Sequence, residues 1–184
     1  MRSRWISPEF ISTNRIDTAP EYTELREMGQ RVIGALGIGT SATHMEWFFG
    51  PKGLKFSEIG CRPPGVGAWD LYSAGNDMDV YREWATAIVQ GEASSVPSRR
   101  YASGIVALRP ESDGHITGYS GAQDLERQYG EWVIDAHLPA AGTATQMVEA
   151  GYMANAYVRM RHPDYDTLRG MLDAVGRTLH VYAS

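Results

Sequence analysis

The chain has 184 residues, 43% of them apolar, with a formal net charge of −5. That length suits one large domain or two small ones, and the apolar fraction is enough for a packed core. No stretch approaches the length of a membrane span, and an acidic balance argues against a nucleic-acid binder, which is normally basic.

The opening segment, MRSRWISPEFISTNRID, has no clean periodicity and looks like the middle of something longer. Trp5, Ile6, Phe10 and Ile11 need cover, so the segment either pairs as an edge strand or packs under material outside the chain. Thr18-Ala19-Pro20-Glu21 then forms a capping box with proline in the first turn. Tyr22, Leu25, Met28, Val32, Ile33 and Leu36 recur at three and four residues, and Gly37 ends the pattern. A helix is expected over 20–36, its apolar stripe packed on the sheet that follows.

Residues 43–67, THMEWFFGPKGLKFSEIGCRPPGVG, organise the rest. Two aromatic and β-branched runs, 43–49 and 54–61, flank the turn chemistry of Gly50-Pro51-Lys52-Gly53, which predicts a β-hairpin. Alternation puts His44, Glu46 and Phe48 on one face of the first strand, and Glu58, Gly60 and Arg62 on one face of the second. Loop length decides whether those faces coincide. A five-residue loop over 50–54 sets Glu46 opposite Glu58, whereas a four-residue loop sets it opposite Ser57 and separates the carboxylates. In the first register, two acids facing each other with Arg62 at the strand end suit Mg²⁺ and phosphate, because a hard cation takes oxygen ligands and a guanidinium matches phosphate oxygens. On spacing alone, a solvated face or a surface ion pair is the commoner meaning of such residues. The single Cys61 cannot close an internal disulfide and no secretory signal is visible, so a reducing cytoplasm is the default; in a strand, a lone cysteine is expected to be buried.

Pro63-Pro64-Gly65-Val66-Gly67 should bend the chain close to whatever Arg62 touches. Asp77 or Asp79 is expected to cap a second helix running to Gln90, ended by Gly91 and covering the second face of the hairpin. The polar stretch EASSVPSRR, 92–100, marks an internal boundary, giving domains 1–95 and 96–184. Beyond it a strand at 101–108 should turn through PESDG and pair with 115–119. A short helix at 122–129, strands at 132–138 and 152–160, a helix with Tyr165, Leu168, Met171, Leu172 and Val175 on one face, and a last strand through Leu179 and Val181 complete an α+β half. Arg159 and Arg161 share a strand face, which suits either a substrate carboxylate or, as expected here, a solvated sheet surface. His115, His137, His162 and His180 lack ligand spacing, and the H-x-E pair of His44 and Glu46 lacks the P-C-x-x-C of a zinc deaminase.

Glu46, Glu58 and Arg62, in the frame HMEWF followed by SEIGCRPPG, resemble the metal-binding end of the ATP-grasp ligase superfamily. The twelve-residue step between the acids is similar to the biotin carboxylase-like branch. The form E-x-x-x-R-P resembles the purine-biosynthesis members, formate-dependent glycinamide ribonucleotide transformylase and aminoimidazole ribonucleotide carboxylase. The resemblance implies the C-terminal lobe of an ATP-grasp fold, an antiparallel sheet with helices, over 1–95, followed by a small α+β C-terminal domain. It implies that Glu46 and Glu58 hold Mg²⁺, or Mn²⁺ in its place, against the phosphates of ATP, and that Arg62 contacts phosphate or the acyl phosphate and acts catalytically. Gly60 stands where biotin carboxylase-type members have a ligating Asn, and Pro64 and Gly65 stand where the purine members have His and an acidic or amide residue. The resemblance therefore names the nucleotide chemistry and leaves the substrate open.

The activity implied is that of a carboxylate–amine ligase or carboxylase: a carboxylate attacks the γ-phosphate of ATP, and an amine or other nucleophile displaces the resulting acyl phosphate. ATP-grasp enzymes grip nucleotide between two lobes, and the lobe bearing the adenine contacts precedes the region resembled. The expectation is thus the C-terminal half of a longer ligase, inactive alone. Its partners would be the missing N-terminal lobe, nucleotide, small carboxylate and amine substrates, and a second copy as a homodimer, with no nucleic acid or membrane. Two other classes compete: a non-catalytic structural or interaction module derived from the same fold, marked by an exposed surface around Trp5 and Phe10, and a metal-binding regulator without phosphoryl transfer.

Overall fold

The computed structural model describes residues 9–13, 19–147 and 156–184. The cap expected at Thr18, the side chain of Trp5 and the start of the strand expected at 152–160 lie outside them. The chain divides into one unit spanning Thr13–Arg99 and another formed by Arg100–Ser184 together with strand β1 (Glu9–Ser12).

In the first unit a single 3-10 turn, Pro20–Tyr22, leads into α1 (Thr23–Leu36). Gly37, at φ 64°, closes it in the left-handed conformation: the Gly37 N–H donates to Gly34 O and the Ile38 N–H to Ile33 O, the paired bonds that satisfy orphan carbonyls at a helix end. The expected hairpin follows as β2 (His44–Gly50) and β3 (Gly53–Gly60). Helix α1 lies on its Met45 and Trp47 face; a Cβ on Gly29 would stand 3.7 Å from Met45 Sδ and 3.9 Å from the Trp47 ring. Trp47 meets its cross-strand partner Phe56 edge to face at 5.3 Å.

The bend after Arg62 leads into α2 (Ala68–Asn76), a helix with no clear sequence signal because it is short and ends in Gly75-Asn76. Asp79, one of the two expected caps, accepts a 3.1 Å bond from the Arg82 N–H at the start of α3 (Val80–Gln90). Helix α3 was expected to cover the second face of the hairpin. Instead it packs on α2, where Trp69 meets Tyr81 and Trp84 edge to face at 5.2 and 5.4 Å, so aromatic packing between the helices takes the place of helix on sheet.

Residues 92–99 are no slack linker. The buried Glu83 carboxylate accepts the Ser94 N–H at 2.7 Å, the Ser95 N–H at 2.9 Å and both serine hydroxyls. Asn76 Oδ1 accepts the Arg99 N–H at 3.0 Å, and the Asn76 carbonyl takes the Ser98 N–H. The Ser95 hydroxyl, helped by the Ser94 hydroxyl and both amides and opposed by burial, holds the Glu83 carboxyl below its ordinary value of 4.5. A depressed carboxyl stabilises the fold above its unfolded value and loses that contribution as pH falls through its folded one. Thermal melts should therefore show Glu83→Gln less stable than the native chain at pH 7, with the gap narrowing as pH falls below 4.5.

The second unit runs β4 (Ala102–Leu108), β5 (Ile116–Ser120), α4 (Ala122–Tyr129), β6 (Val133–His137), β7 (Ala156–His162), α5 (Tyr165–Thr178) and β8 (His180–Ala183). Strands β1, β4, β7 and β6 form an antiparallel sheet in that order, so the opening segment does pair as an edge strand. The expected pairing of 115–119 with 101–108 does not occur: β5 pairs with β8. The reason is that β1 and β7 already occupy both edges of β4.

Helix α5 covers the sheet with Leu168, Leu172 and Val175, all at most 1% exposed, against Val106, Val158 and Met160. Gly176 permits the approach, since a Cβ there would stand 3.3 Å from Val106 Cγ2. Asp164 caps α5, accepting the Thr167 N–H at 2.8 Å and its hydroxyl at 2.6 Å. Asp164→Ala should cost about 1 kcal/mol in urea unfolding. The Arg159 and Arg161 face differs from the solvated one expected: the Arg159 side chain is only 12% exposed and pairs with Asp135 at 3.1 Å, and Arg161 lies 4.6 Å from the Tyr101 ring centroid. Among the described residues, no helix is long and apolar enough to cross a membrane.

Candidate functional site

The hairpin reaches the carboxylate-facing register by neither simple loop. Gly50 pairs with Gly53 across Pro51-Lys52, with Gly53 at φ 75°, and from there Phe49 opposes Leu54, Phe48 opposes Lys55 and Trp47 opposes Phe56. Continued regularly, that ladder would set Glu46 opposite Ser57. A bulge absorbs Ser57 instead, and the ladder resumes with Glu46 opposite Glu58, Met45 opposite Ile59 and His44 opposite Gly60. The turn chosen is the one that separates the acids; the bulge reunites them.

Since α1 takes the Met45 and Trp47 face, the other face carries His44, Glu46, Phe48, Lys55, Glu58 and Gly60. Glu46, Phe48, Lys55 and Glu58 are exposed there. Directly opposed residues lie with Cβ atoms roughly 5 Å apart, and two like charges so placed repel. Among the described residues neither carboxylate has an ion-pair or hydrogen-bond partner. Nor do any three carboxylate, imidazole or thiol groups there gather closely enough to hold a metal by themselves.

Arg62 follows at the end of β3 and is exposed. Its stem folds back over Gly60: a Cβ on that glycine would lie 3.5 Å from both Cγ and Nε of Arg62. The guanidinium donates a 2.9 Å bond to the Pro63 carbonyl. In the bend that follows, Val66 has φ 50° and Gly67 φ 70°. A left-handed β-branched residue costs about 1–3 kcal/mol and persists only where the surroundings impose it. Cys61, expected to be buried, is free and exposed, because the strand ends at Gly60 and none of the described residues covers the turn after it.

The structure thus brings Glu46 and Glu58 to one rung and Arg62 onto the strand end beside it. His44 and Lys55 share the face; the sequence places His44 there without giving it a role and does not place Lys55. His44 was legible through the same two-residue alternation as Glu46, while Lys55 required knowledge of the bulge. A separate cleft of about 280 Å³ between α2, α3 and the 92–99 segment is lined mainly by Trp69, Tyr72, Met78, Trp84 and Ile88. Its one carboxylate, Glu83, is already saturated by serines, so it offers little for chemistry.

The sequence matches no protein-family model and no curated protein. The fold does have solved counterparts. An L-amino acid ligase from Bacillus licheniformis superposes with a TM-score of 0.73 at 13% identity, over 96% of this chain and 46% of its own. N5-carboxyaminoimidazole ribonucleotide synthetase from Thermotoga maritima gives 0.67 at 17% identity, over 97% and 47% respectively. Phosphoribosylglycinamide synthetase from Anaerococcus prevotii gives 0.63 at 11% identity, over 86% and 41%. The chain therefore spans less than half the length of these proteins. At such identities the likeness is one of fold alone: the mixed helices and antiparallel sheets match part of an ATP-grasp fold.

Proposed function

We propose that this chain supplies the metal and phosphate contacts of an ATP-dependent ligase, with Glu46 and Glu58 holding Mg²⁺ and Arg62 neutralising charge on the phosphoryl group being transferred. The observation that carries this is the bulge at Ser57, which sets two carboxylates, without partners among the described residues, opposite each other on an open face. The arrangement opposes folding, so a role outside folding accounts for it best.

The donor set suits the ion. Mg²⁺ keeps several waters and is commonly held by one or two carboxylates together with substrate phosphates, so a pair of acids is sufficient where a closed protein cage would need more. Mn²⁺ would fit the same oxygens. When bound, the metal would neutralise phosphate charge and orient the group for in-line transfer. Arg62 would leave the Pro63 carbonyl and turn its planar donors toward phosphate oxygens, a charge-assisted exchange. The reaction class is activation of a carboxylate as its acyl phosphate followed by displacement by an amine or other nucleophile. The remaining nucleotide contacts come from a further lobe.

Calorimetric titration with ADP, with and without Mg²⁺, tests the reading. Weak heat that requires the metal supports it, and no heat in either case removes it for this chain. A second reading, a module that only docks other protein, has one observation in its favour: Phe48 and Phe49 at the hairpin tip are 68% and 83% exposed. The Trp5 and Phe10 side chains lie outside the residues described.

A further inference from the structure

The strand register places one more group at this site. His44 pairs with Gly60, the rung next but one to Glu46 and Glu58, and its side chain projects from the carboxylate face. Gly60 carries no side chain to meet it, and the space above that glycine is taken by the stem of Arg62. The imidazole is half-buried, and among the described residues it makes no hydrogen bond or ion pair. A half-buried imidazole spends its ring nitrogens on partners where the fold requires it, and here the fold uses neither.

The face therefore has two parts along the strands. One rung holds two acceptor-only carboxylates. Two rungs on, the next to project from the same face, His44 stands across from Gly60 and the Arg62 stem over it, both side chains able to donate. That polarity suits an anion paired with a cation: Glu46 and Glu58 would hold the cation, and His44 and Arg62 would donate to the anion. A metal-ligand role for His44 fits less well, because no three such groups converge among the described residues.

We infer that His44 is a binding residue of the same site, donating from its ring to a phosphate oxygen of the metal-bound nucleotide alongside Arg62. This rests on the proposed function above and adds to it the donor that faces Gly60. It also gives that glycine a purpose: a larger side chain at position 60 would displace the Arg62 stem and fill the gap between the two donors.

The test is a titration of the full chain with Mg²⁺·ADP, followed by NMR through the histidine ring signals, with calorimetry of His44→Ala, His44→Gln and Glu58→Gln. The His44 signal, identified by its loss in His44→Gln, should move on addition of Mg²⁺·ADP, while those of His115, His137, His162 and His180 stay. His44→Ala should weaken binding about tenfold or more without changing the Mg²⁺ requirement, and His44→Gln, which keeps a donor, should recover part of the loss. If wild type binds, Glu58→Gln does not, and His44→Ala binds as wild type with no signal movement, this inference fails and the proposed function stands. If wild type does not bind at all, both fail. Movement of the His44 signal on Mg²⁺ alone would make it a metal ligand and overturn the anion role. Should His44→Ala not fold, the wild-type signals and His44→Gln decide the matter.

Discussion

Glu58→Gln is expected to abolish Mg²⁺-dependent ADP binding, by at least tenfold in affinity, while making the chain slightly more stable. The amide keeps the size and shape of the carboxylate and leaves the bulged ladder intact, so the backbone has no reason to move. What changes is charge. Glu46 no longer faces a second anion across the strands, which should gain about 0.5 kcal/mol at neutral pH, or roughly 1–2 °C in midpoint for a chain of this size. The same change removes half of the oxygen pair available to a divalent cation, and a neutral amide is a far weaker ligand for a hard ion. Binding and stability must therefore move in opposite directions. Calorimetry and a thermal melt on the same preparation check this: loss of both together would mean that the side chain is structural, and no change in either would leave the carboxylates an ordinary solvated face.

Gly121→Ala is expected to be the most damaging single substitution in the second unit. Gly121 sits at the start of α4 with φ 84°, a conformation that costs an alanine about 1–2 kcal/mol. Sterics are worse. A Cβ there would stand 2.2 Å from the Thr178 carbonyl oxygen and 2.9 Å from its carbon, and backbone at the end of α5 cannot swing aside as a flexible side chain can. The junction of β5, α4 and β8 would have to open, loosening Val181 and Leu179 from the core. A total of about 4 kcal/mol or more is expected from strain plus repacking. Urea unfolding should show it, with Gly118→Ala, which has open space, as a nearly neutral control. A loss below about 1 kcal/mol would mean that α5 and α4 are more loosely joined than their contact indicates.

The parts of the fold that were legible in the sequence are those where one local rule sufficed. Helix α1 announced itself through its period and Gly37, α3 through Asp79 and Gly91, and α5 through Tyr165, Leu168, Met171, Leu172 and Val175 on one face, all but Tyr165 buried. Pairing between distant strands was not legible, because nothing in 115–119 says that both edges of β4 are already taken. Helix α2 escaped because nine residues ending in glycine and asparagine are too short for a period to stand out.

At the candidate site the two strands, both acids and the arginine were readable, but their relation was not. Loop length offered two registers, and a single extra residue converts one into the other. Ser57 is a small polar residue with nothing to mark it as a bulge, so the facing of Glu46 and Glu58 could be stated only as one of two outcomes. The stem of Arg62 lying over Gly60 belongs to the same class of fact, as it depends on backbone geometry past the end of the strand.

The clasps on residues 92–99 bear on where the chain can be divided for expression. This stretch has the serines and proline of a flexible hinge, yet its amides are spent on two separate holds: Glu83 grips Ser94 and Ser95, and Asn76 grips Ser98 and Arg99. A fragment ending at residue 95 would keep the first hold and lose the second. One ending before Ser94 would leave a buried carboxylate stripped of every donor it now uses, a larger penalty than a frayed end normally brings. Ending such a fragment at Arg99 retains both, and recombinant yield should be highest for that fragment, lower for the one ending at residue 95 and lowest for the one ending before Ser94.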